Sequence, residues 1–198
     1  LVYIARMPEP RMRSTAESSL WQVLAEPFRD LNFRQLLHFL GAWNFAVNFA
    51  APFFAVYMLK RLELSMTWIL CLGVLSQLIN VLFLRLWGRL ADRFSNKSVL
   101  TVAGPMFIFS FLLWPFTAMP DPYVLTIPIL VLLHVMGGIS TAGMMLSATN
   151  IALMLAPHGK ATAYLAMNAL VSGAAATVAP ILAGLAADGF AGKQLTLA

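Results

Sequence analysis

The stretch Gly88–Lys97, GRLADRFSNK, places four charged residues within ten positions of a chain that is otherwise poor in charge. The 198 residues as a whole are 60% hydrophobic and 11% charged, whereas about a quarter of the residues in a soluble globular domain are charged. A chain with so few charges cannot cover a surface that faces water on all sides. The segments around this charged stretch (Gly88–Lys97) therefore decide the class of protein.

Long neutral segments lie on both sides of the charged stretch and recur along the chain. Asp, Glu, Lys and Arg are absent from residues 35–59, 64–84, 98–120, 122–159 and 161–187. Each segment exceeds the roughly 20 residues that an α-helix needs to cross a bilayer, and a helix satisfies its own backbone polar groups in lipid. The alternation of polar and apolar residues over about ten positions that marks a membrane β-strand is not found in the sequence.

The sequence therefore predicts an all-α fold, a polytopic helical membrane protein with five transmembrane helices. We expect the spans at about 36–59, 67–84, 99–118, 124–155 and 162–187. Small residues at Gly137, Gly138, Gly143 and Gly173 predict places where two helices approach each other closely.

Basic residues favour one orientation of these spans, because Lys and Arg prefer cytoplasmic loops. With residues 1–35 in the cytoplasm, ten of the 13 Lys and Arg lie on that side, and Lys60, Arg61 and Lys193 lie on the other. The charged stretch is then cytoplasmic, and topology explains the net charge of +5. A nucleic-acid partner is not expected, since no basic cluster is interleaved with exposed aromatic residues.

Residues 14–28, STAESSLWQVLAEPF, allow two interpretations. Ser14 and Glu17 have the spacing of a capping box, and Leu20 and Leu24 would share one apolar face of a helix. An interfacial helix on the cytoplasmic surface is one interpretation, and a flexible linker is the other.

The charged stretch resembles the cytoplasmic loop motif of the major facilitator superfamily, in outline G-x-L-A-D-R-F-G-R-K. The matching residues are Gly88, Leu90, Ala91, Asp92, Arg93, Phe94 and Lys97. Ser95 replaces the usual glycine, and Asn96 replaces the usual arginine. In that family the motif joins spans 2 and 3, and a weaker copy joins spans 8 and 9.

The resemblance implies that residues 1–35 are the cytoplasmic loop between two six-helix halves and that residues 36–198 are part of the C-terminal half. The five spans would be helices 7 to 11, and the N-terminal half and helix 12 would lie outside these residues. The implied partners are a small-molecule solute, the lipid bilayer and the missing half. The expected location is the bacterial inner membrane, and no cofactor or metal is implied.

The function implied by this resemblance is secondary active transport of a small solute by alternating access. The alternative is a membrane receptor or scaffold that keeps the facilitator fold without transport. An intramembrane enzyme is disfavoured, because no span carries paired carboxylates, a metal-ligand set, or a nucleophile with a base. No Walker-type phosphate loop is present in the sequence, so ATP is not the expected energy source.

Four residues of the charged stretch are candidates for a conformational latch that forms when the cytoplasmic side closes. Gly88 would let one helix end approach another, and Asp92 can face the positive end of a neighbouring helix dipole. Arg93 and Lys97 can pair with carboxylates or lipid headgroups. The alternative is a basic turn that only sets topology.

Polar residues within the spans are candidates for contact with the solute. Asn44 and Asn48 stand four residues apart on one helix face, in the helix that would line the central cavity of a facilitator fold. Interhelical hydrogen bonding is the alternative role for these two amides. Gln77 and Asn168 are weaker candidates of the same kind.

His134 is the one histidine well inside a predicted span. Histidine titrates near neutral pH, so His134 is a candidate for proton coupling. A neutral, hydrogen-bonded packing residue is the alternative.

Overall fold

The computed structural model describes residues 20–119 and 121–190. Its helices are α1 (Leu20–Arg29), α2 (Leu31–Lys60), α3 (Met66–Arg93), α4 (Asn96–Leu112), α5 (Thr126–Leu155) and α6 (Ala161–Phe190). A short 3₁₀ helix, Trp114–Thr117, follows α4. The described residues contain no strand, and the all-α fold class is confirmed.

Four of these helices, α2, α3, α5 and α6, are long and apolar enough to cross a membrane. The apolar helix α4 has 17 residues and would be about 26 Å long at about 1.5 Å per residue. It is therefore slightly shorter than the roughly 30 Å of a bilayer core, and the 3₁₀ helix of four residues follows it. The chain is therefore a multi-pass helical membrane protein.

The helices alternate in direction. Phe33 near the start of α2 packs on Tyr164 near the start of α6, with ring centroids 4.5 Å apart. Asn150 near the end of α5 donates to Asn96 at the start of α4, at 3.0 Å. The starts of α2, α4 and α6 and the ends of α3 and α5 therefore share one end of the bundle. We call it the charged end, because it carries the charged stretch.

Helix α5 lies at the centre of the described bundle and packs mainly on α3 and α4, while α2 packs mainly on α6. A Cβ added at Gly138 would lie 2.4 Å from the Ser76 carbonyl oxygen on α3, and one at Gly143 would lie 3.0 Å from Ala103 Cβ on α4. Trp87 on α3 donates from Nε1 to the Ile139 carbonyl on α5 at 2.8 Å. These contacts hold α3 and α4 against α5.

Two of the four glycines predicted to mark helix contacts do so. Gly138 and Gly143 are buried between helices, whereas a Cβ at Gly137 or Gly173 would meet nothing within 4 Å among the described residues. Among the described helices, Gly137 and Gly173 therefore mark no close approach, because which glycine of a helix faces a given neighbour depends on helix rotation.

Candidate functional site

The charged stretch forms a tight helix–turn–helix. Gly88 to Arg93 are the last residues of α3, and α4 begins at Asn96, so only Phe94 and Ser95 lie between the two helices. Ala91 is buried, and the side chains of Asp92, Arg93 and Lys97 are exposed. The stretch therefore packs on the bundle through Ala91 and presents these charges outward.

None of these exposed charges has an ion-pair partner within residues 20–119 and 121–190, where the salt bridges are Arg61–Asp121 and Lys160–Glu26. The Arg93 guanidinium lies over the ring of its neighbour Phe94, 5.4 Å from the ring centre. A Cβ at Gly88 would meet open space. The described helices therefore supply no close partner for the predicted latch residues.

Ser95 and Asn96, the two departures from the facilitator motif, both make local hydrogen bonds. The Ser95 hydroxyl accepts from the Ser98 N–H at 3.0 Å and caps the N-terminus of α4. The Asn96 side chain accepts from Asn150 at 3.0 Å and donates to the Met154 sulfur at 3.5 Å. The start of α4 is thereby joined to the end of α5, a role that the motif comparison did not predict.

Asn44 and Asn48 are half-buried along α2. The Asn44 amide nitrogen donates to the Leu40 carbonyl, and the Asn48 nitrogen donates to the Asn44 carbonyl, each at 2.8 Å. Both amides thus bond their own helix, and neither bonds another helix within the described residues. Their side-chain oxygens stay available as acceptors.

Asn168 lies at a different level from Asn44. A Cβ at Gly41 on α2 would be 3.2 Å from Val171 Cγ1 on α6, which places these two residues opposite each other. Asn44 follows Gly41 by three residues and Asn168 precedes Val171 by three. Because α2 and α6 are parallel, the two amides are separated by about 9 Å along the helix axes.

The remaining amide candidates make little contact. The Asn168 oxygen accepts from the Ser172 hydroxyl, 3.5 Å away on the same helix. Gln77 on α3 is exposed, and nothing in the described part of the chain hydrogen-bonds to it. The structure therefore brings Asn44 and Asn48 together on α2 but does not gather all four candidates at one place.

His134 is half-buried on α5. Its Nδ1 lies 2.8 Å from the Leu130 carbonyl oxygen, which can only accept, so Nδ1 carries the hydrogen. Its ring meets that of Trp114 edge-on at 6.3 Å. Among the described residues no carboxylate bonds to His134, and no group of three or more His, Cys, Asp and Glu could hold a metal ion.

A row of aromatic rings, which the sequence reasoning missed, leads from the charged end to His134. Successive ring centres lie 6.2, 4.9, 4.9, 5.1 and 4.2 Å apart. The rings belong, in this order, to Phe39, Trp43, Phe107, Phe111, Phe54 and Trp114. The spacing of Phe39, Trp43 and Phe54 on one face of α2 was the available signal.

At the opposite end of the bundle, hydroxyl groups link three elements. Tyr57 on α2 and Thr117 on the 3₁₀ helix lie 3.0 Å apart, oxygen to oxygen. The Thr126 hydroxyl at the start of α5 donates to the Thr117 carbonyl at 2.7 Å. Arg61 and Asp121 form an exposed ion pair at the same end, at 3.3 Å. These bonds connect α2, the 3₁₀ helix and α5.

Helix α1 packs on α2 and α6 at the charged end. Pro27 is fully buried, and Lys160 pairs with Glu26. Asp30 caps α2 through Oδ1, which accepts from Phe33 N at 3.2 Å, and its Oδ2 accepts from the Tyr164 hydroxyl at 3.5 Å. Residues 20–29 are thus a docked helix, while the capping box predicted at Ser14 and Glu17 lies outside the described residues.

The helical fold and the turn formed by the charged stretch agree with the result of a comparison with known protein families. A sequence model of the Major Facilitator Superfamily, a superfamily of membrane transporters, matches residues 1–180. None of the curated proteins and none of the solved structures compared with the chain matches it. The family match includes the charged stretch, helices α1 to α5 and most of α6. The chain belongs to the Major Facilitator Superfamily.

Proposed function

We propose that this chain is part of a secondary active transporter that moves a small solute across a bacterial inner membrane by alternating access. The observation that carries the proposal is the charged stretch in a chain of this superfamily. Three of its four charged side chains, Asp92, Arg93 and Lys97, are exposed at the helix turn, and the described helices offer them no ionic partner. Because these side chains are exposed and unpaired within the described helices, they can form ionic contacts with another part of the transporter in one conformation and release them in another.

The latch in this proposal includes Gly88 and joins the charged end to a second set of helices, the N-terminal half implied by the family. Residues 1–35 are cytoplasmic, and so is the charged stretch. When the cytoplasmic side closes, Asp92 approaches the positive end of a helix in the other half. When that side opens, the contact breaks and the charges return to water and lipid headgroups.

In this proposal, Asn44 and Asn48 contact the solute. Each side chain keeps its position through a hydrogen bond to its own helix at 2.8 Å, and each retains a free carbonyl oxygen that can accept a hydrogen bond from a solute. Gln77 and Asn168 take secondary roles. His134 is the candidate for proton coupling, because the predicted spans contain no Asp, Glu, Lys or Arg.

The test is solute flux into membrane vesicles from cells that express the complete gene containing these residues. A panel of radiolabelled sugars, amino acids, organic acids and organic cations is offered with and without an imposed proton gradient. We expect saturable uptake of at least one solute class above vesicles from cells without the gene. The receptor or scaffold alternative predicts no flux for any class at verified expression.

A further inference from the structure

A groove of about 640 Å³ lies at the charged end between the starts of α2 and α4 and the end of α5. Its walls change character with depth. Asn32, Gln35, Lys97 and Thr101 line the part at the helix starts, and Phe39, Trp43, Ile108 and Met144 are among the residues that line the deeper part. From Asn32 to Trp43 is 11 residues of α2, or about 16 Å.

The groove is open along one side in the described part of the chain. Phe39 and Ile108 line it and remain 41% and 56% exposed. Helices α2 and α4 meet here through side chains, with the Trp43 and Phe107 rings 4.9 Å apart. A Cβ added at Gly104 would find open space. An open apolar groove in a membrane protein can hold a lipid acyl chain, and basic pockets between transmembrane helices bind anionic lipid headgroups.

The rim of the groove is positively charged and rich in hydrogen-bond donors. Lys97 carries the charge, and no carboxylate lines the groove or pairs with Lys97 in the described residues. Asn32 and Gln35 add amide donors next to it. Pro105, which also lines the groove, has no N–H for the Thr101 carbonyl, so that acceptor is available at the rim.

We propose that this groove binds an anionic glycerophospholipid. The phosphate lies at Lys97 with Asn32 and Gln35 as donors, a headgroup hydroxyl donates to the Thr101 carbonyl, and one acyl chain runs along Phe39 and Trp43. The lining of the groove matches such a lipid, because the charged and amide side chains lie where the headgroup would bind and the aromatic rings lie where the acyl chain would bind. This site is separate from the solute contacts at Asn44 and Asn48, and its test does not use transport.

Tryptophan quenching by brominated lipid tests the proposal in the complete protein reconstituted in phosphatidylcholine vesicles. The probe is phosphatidylglycerol with dibrominated acyl chains, compared with phosphatidylcholine brominated in the same way. The Trp43 signal is obtained as wild-type emission minus that of Trp43→Phe. We expect brominated phosphatidylglycerol to quench Trp43 at about a fivefold lower mole fraction, because one basic residue favours anionic lipid by about this factor.

Two variants and one control locate the effect in the groove. Lys97→Gln removes the rim charge and should bring quenching by phosphatidylglycerol to the phosphatidylcholine level. Lys60→Gln is the control: it makes the same change at the last residue of α2, at the other end of the bundle, and should leave the preference for phosphatidylglycerol intact. Gly104→Leu fills the open space and should weaken Trp43 quenching by both lipids. Equal quenching of wild type by the two lipids would overturn the proposal, as would absent quenching, which means that protein fills the groove. A preference that survives Lys97→Gln would also overturn it.

Discussion

Ser95 stands where the facilitator motif has glycine, and its hydroxyl accepts a hydrogen bond from the Ser98 N–H at 3.0 Å. Asn96 stands where the motif has arginine, and it bonds Asn150 and Met154 on α5. The two replacements therefore remove one charge and one flexible position and add a helix cap and a link between α4 and α5. The charged stretch keeps Asp92, Arg93 and Lys97 outside this local network.

Ser95→Ala should cost about 1 kcal/mol of local stability at the start of α4, because it removes the side-chain cap. Amide hydrogen exchange of Ser98 should then become about fivefold faster. Ser95→Gly should change it less, since glycine is tolerated at the N-cap position. Ser65→Ala is the matched control, because Ser65 precedes α3 without a side-chain cap bond. Equal exchange at Ser98 in wild type and Ser95→Ala would contradict this role.

Asn44→Ala and Asn48→Ala should raise the solute concentration for half-maximal flux by about three- to tenfold each, the value of one hydrogen bond. Thr149→Ala is the control, because it removes a hydroxyl that bonds only its own helix at the Met145 carbonyl. Flux assays on reconstituted protein of equal amount provide the measurement. A loss of folded protein with unchanged half-saturation in the remainder would assign both asparagines to packing.

The close contact between helices α3 and α5 depends on Gly138 and not on its neighbour Gly137. Gly138 touches the Ser76 carbonyl, and Gly137 faces open space. Gly138→Ala should destabilise the protein by about 1–3 kcal/mol, since backbone must move to admit the methyl group. Gly137→Ala should be neutral or stabilising, because alanine favours helix. Temperature-dependent loss of the monodisperse peak in detergent distinguishes them, and equal midpoints would contradict the helix packing.

The docking of α1 is testable by cross-linking in a Cys71→Ser background, which leaves no native cysteine in these residues. Cysteines at Glu26 and Lys160, which form an ion pair, should be joined by a short bis-methanethiosulfonate cross-linker, which replaces the reach of the two long side chains. Cysteines at Phe28 and Lys160 are the control, because Phe28 lies about 200° around the helix from Glu26. Cross-linking of the control pair alone would mean that α1 presents its other face to α6.

For the whole molecule, the sequence was sufficient to predict the helical membrane class, because five uncharged segments leave few other solutions in lipid. The sequence was not sufficient to predict which residues of different helices contact each other. Gly137 and Gly138 differ only in helix rotation, and the groove at Lys97 and Trp43 arises from three helices that are distant in sequence. The 3₁₀ helix at Trp114–Thr117 has a local signal in Pro115 at its start, but the contact of Thr117 with Tyr57 joins residues that are 60 positions apart, and the sequence does not reveal that pairing.

We propose that the charged stretch works as a latch in transport. Asp92 is exposed at the charged end, and Asp188 is exposed near the far end of α6; within the described residues neither forms an ion pair. The two aspartates therefore form a matched pair for the same substitution.

The most direct test is the initial rate of solute flux in vesicles from the complete gene carrying Asp92→Asn or Asp188→Asn, at equal expression. The latch predicts that Asp92→Asn lowers flux by about tenfold, because a coupling of this kind is worth about 1–3 kcal/mol, and that Asp188→Asn leaves it within twofold of wild type. Wild-type flux in the Asp92→Asn protein would contradict the latch and leave the charged stretch as a determinant of topology alone.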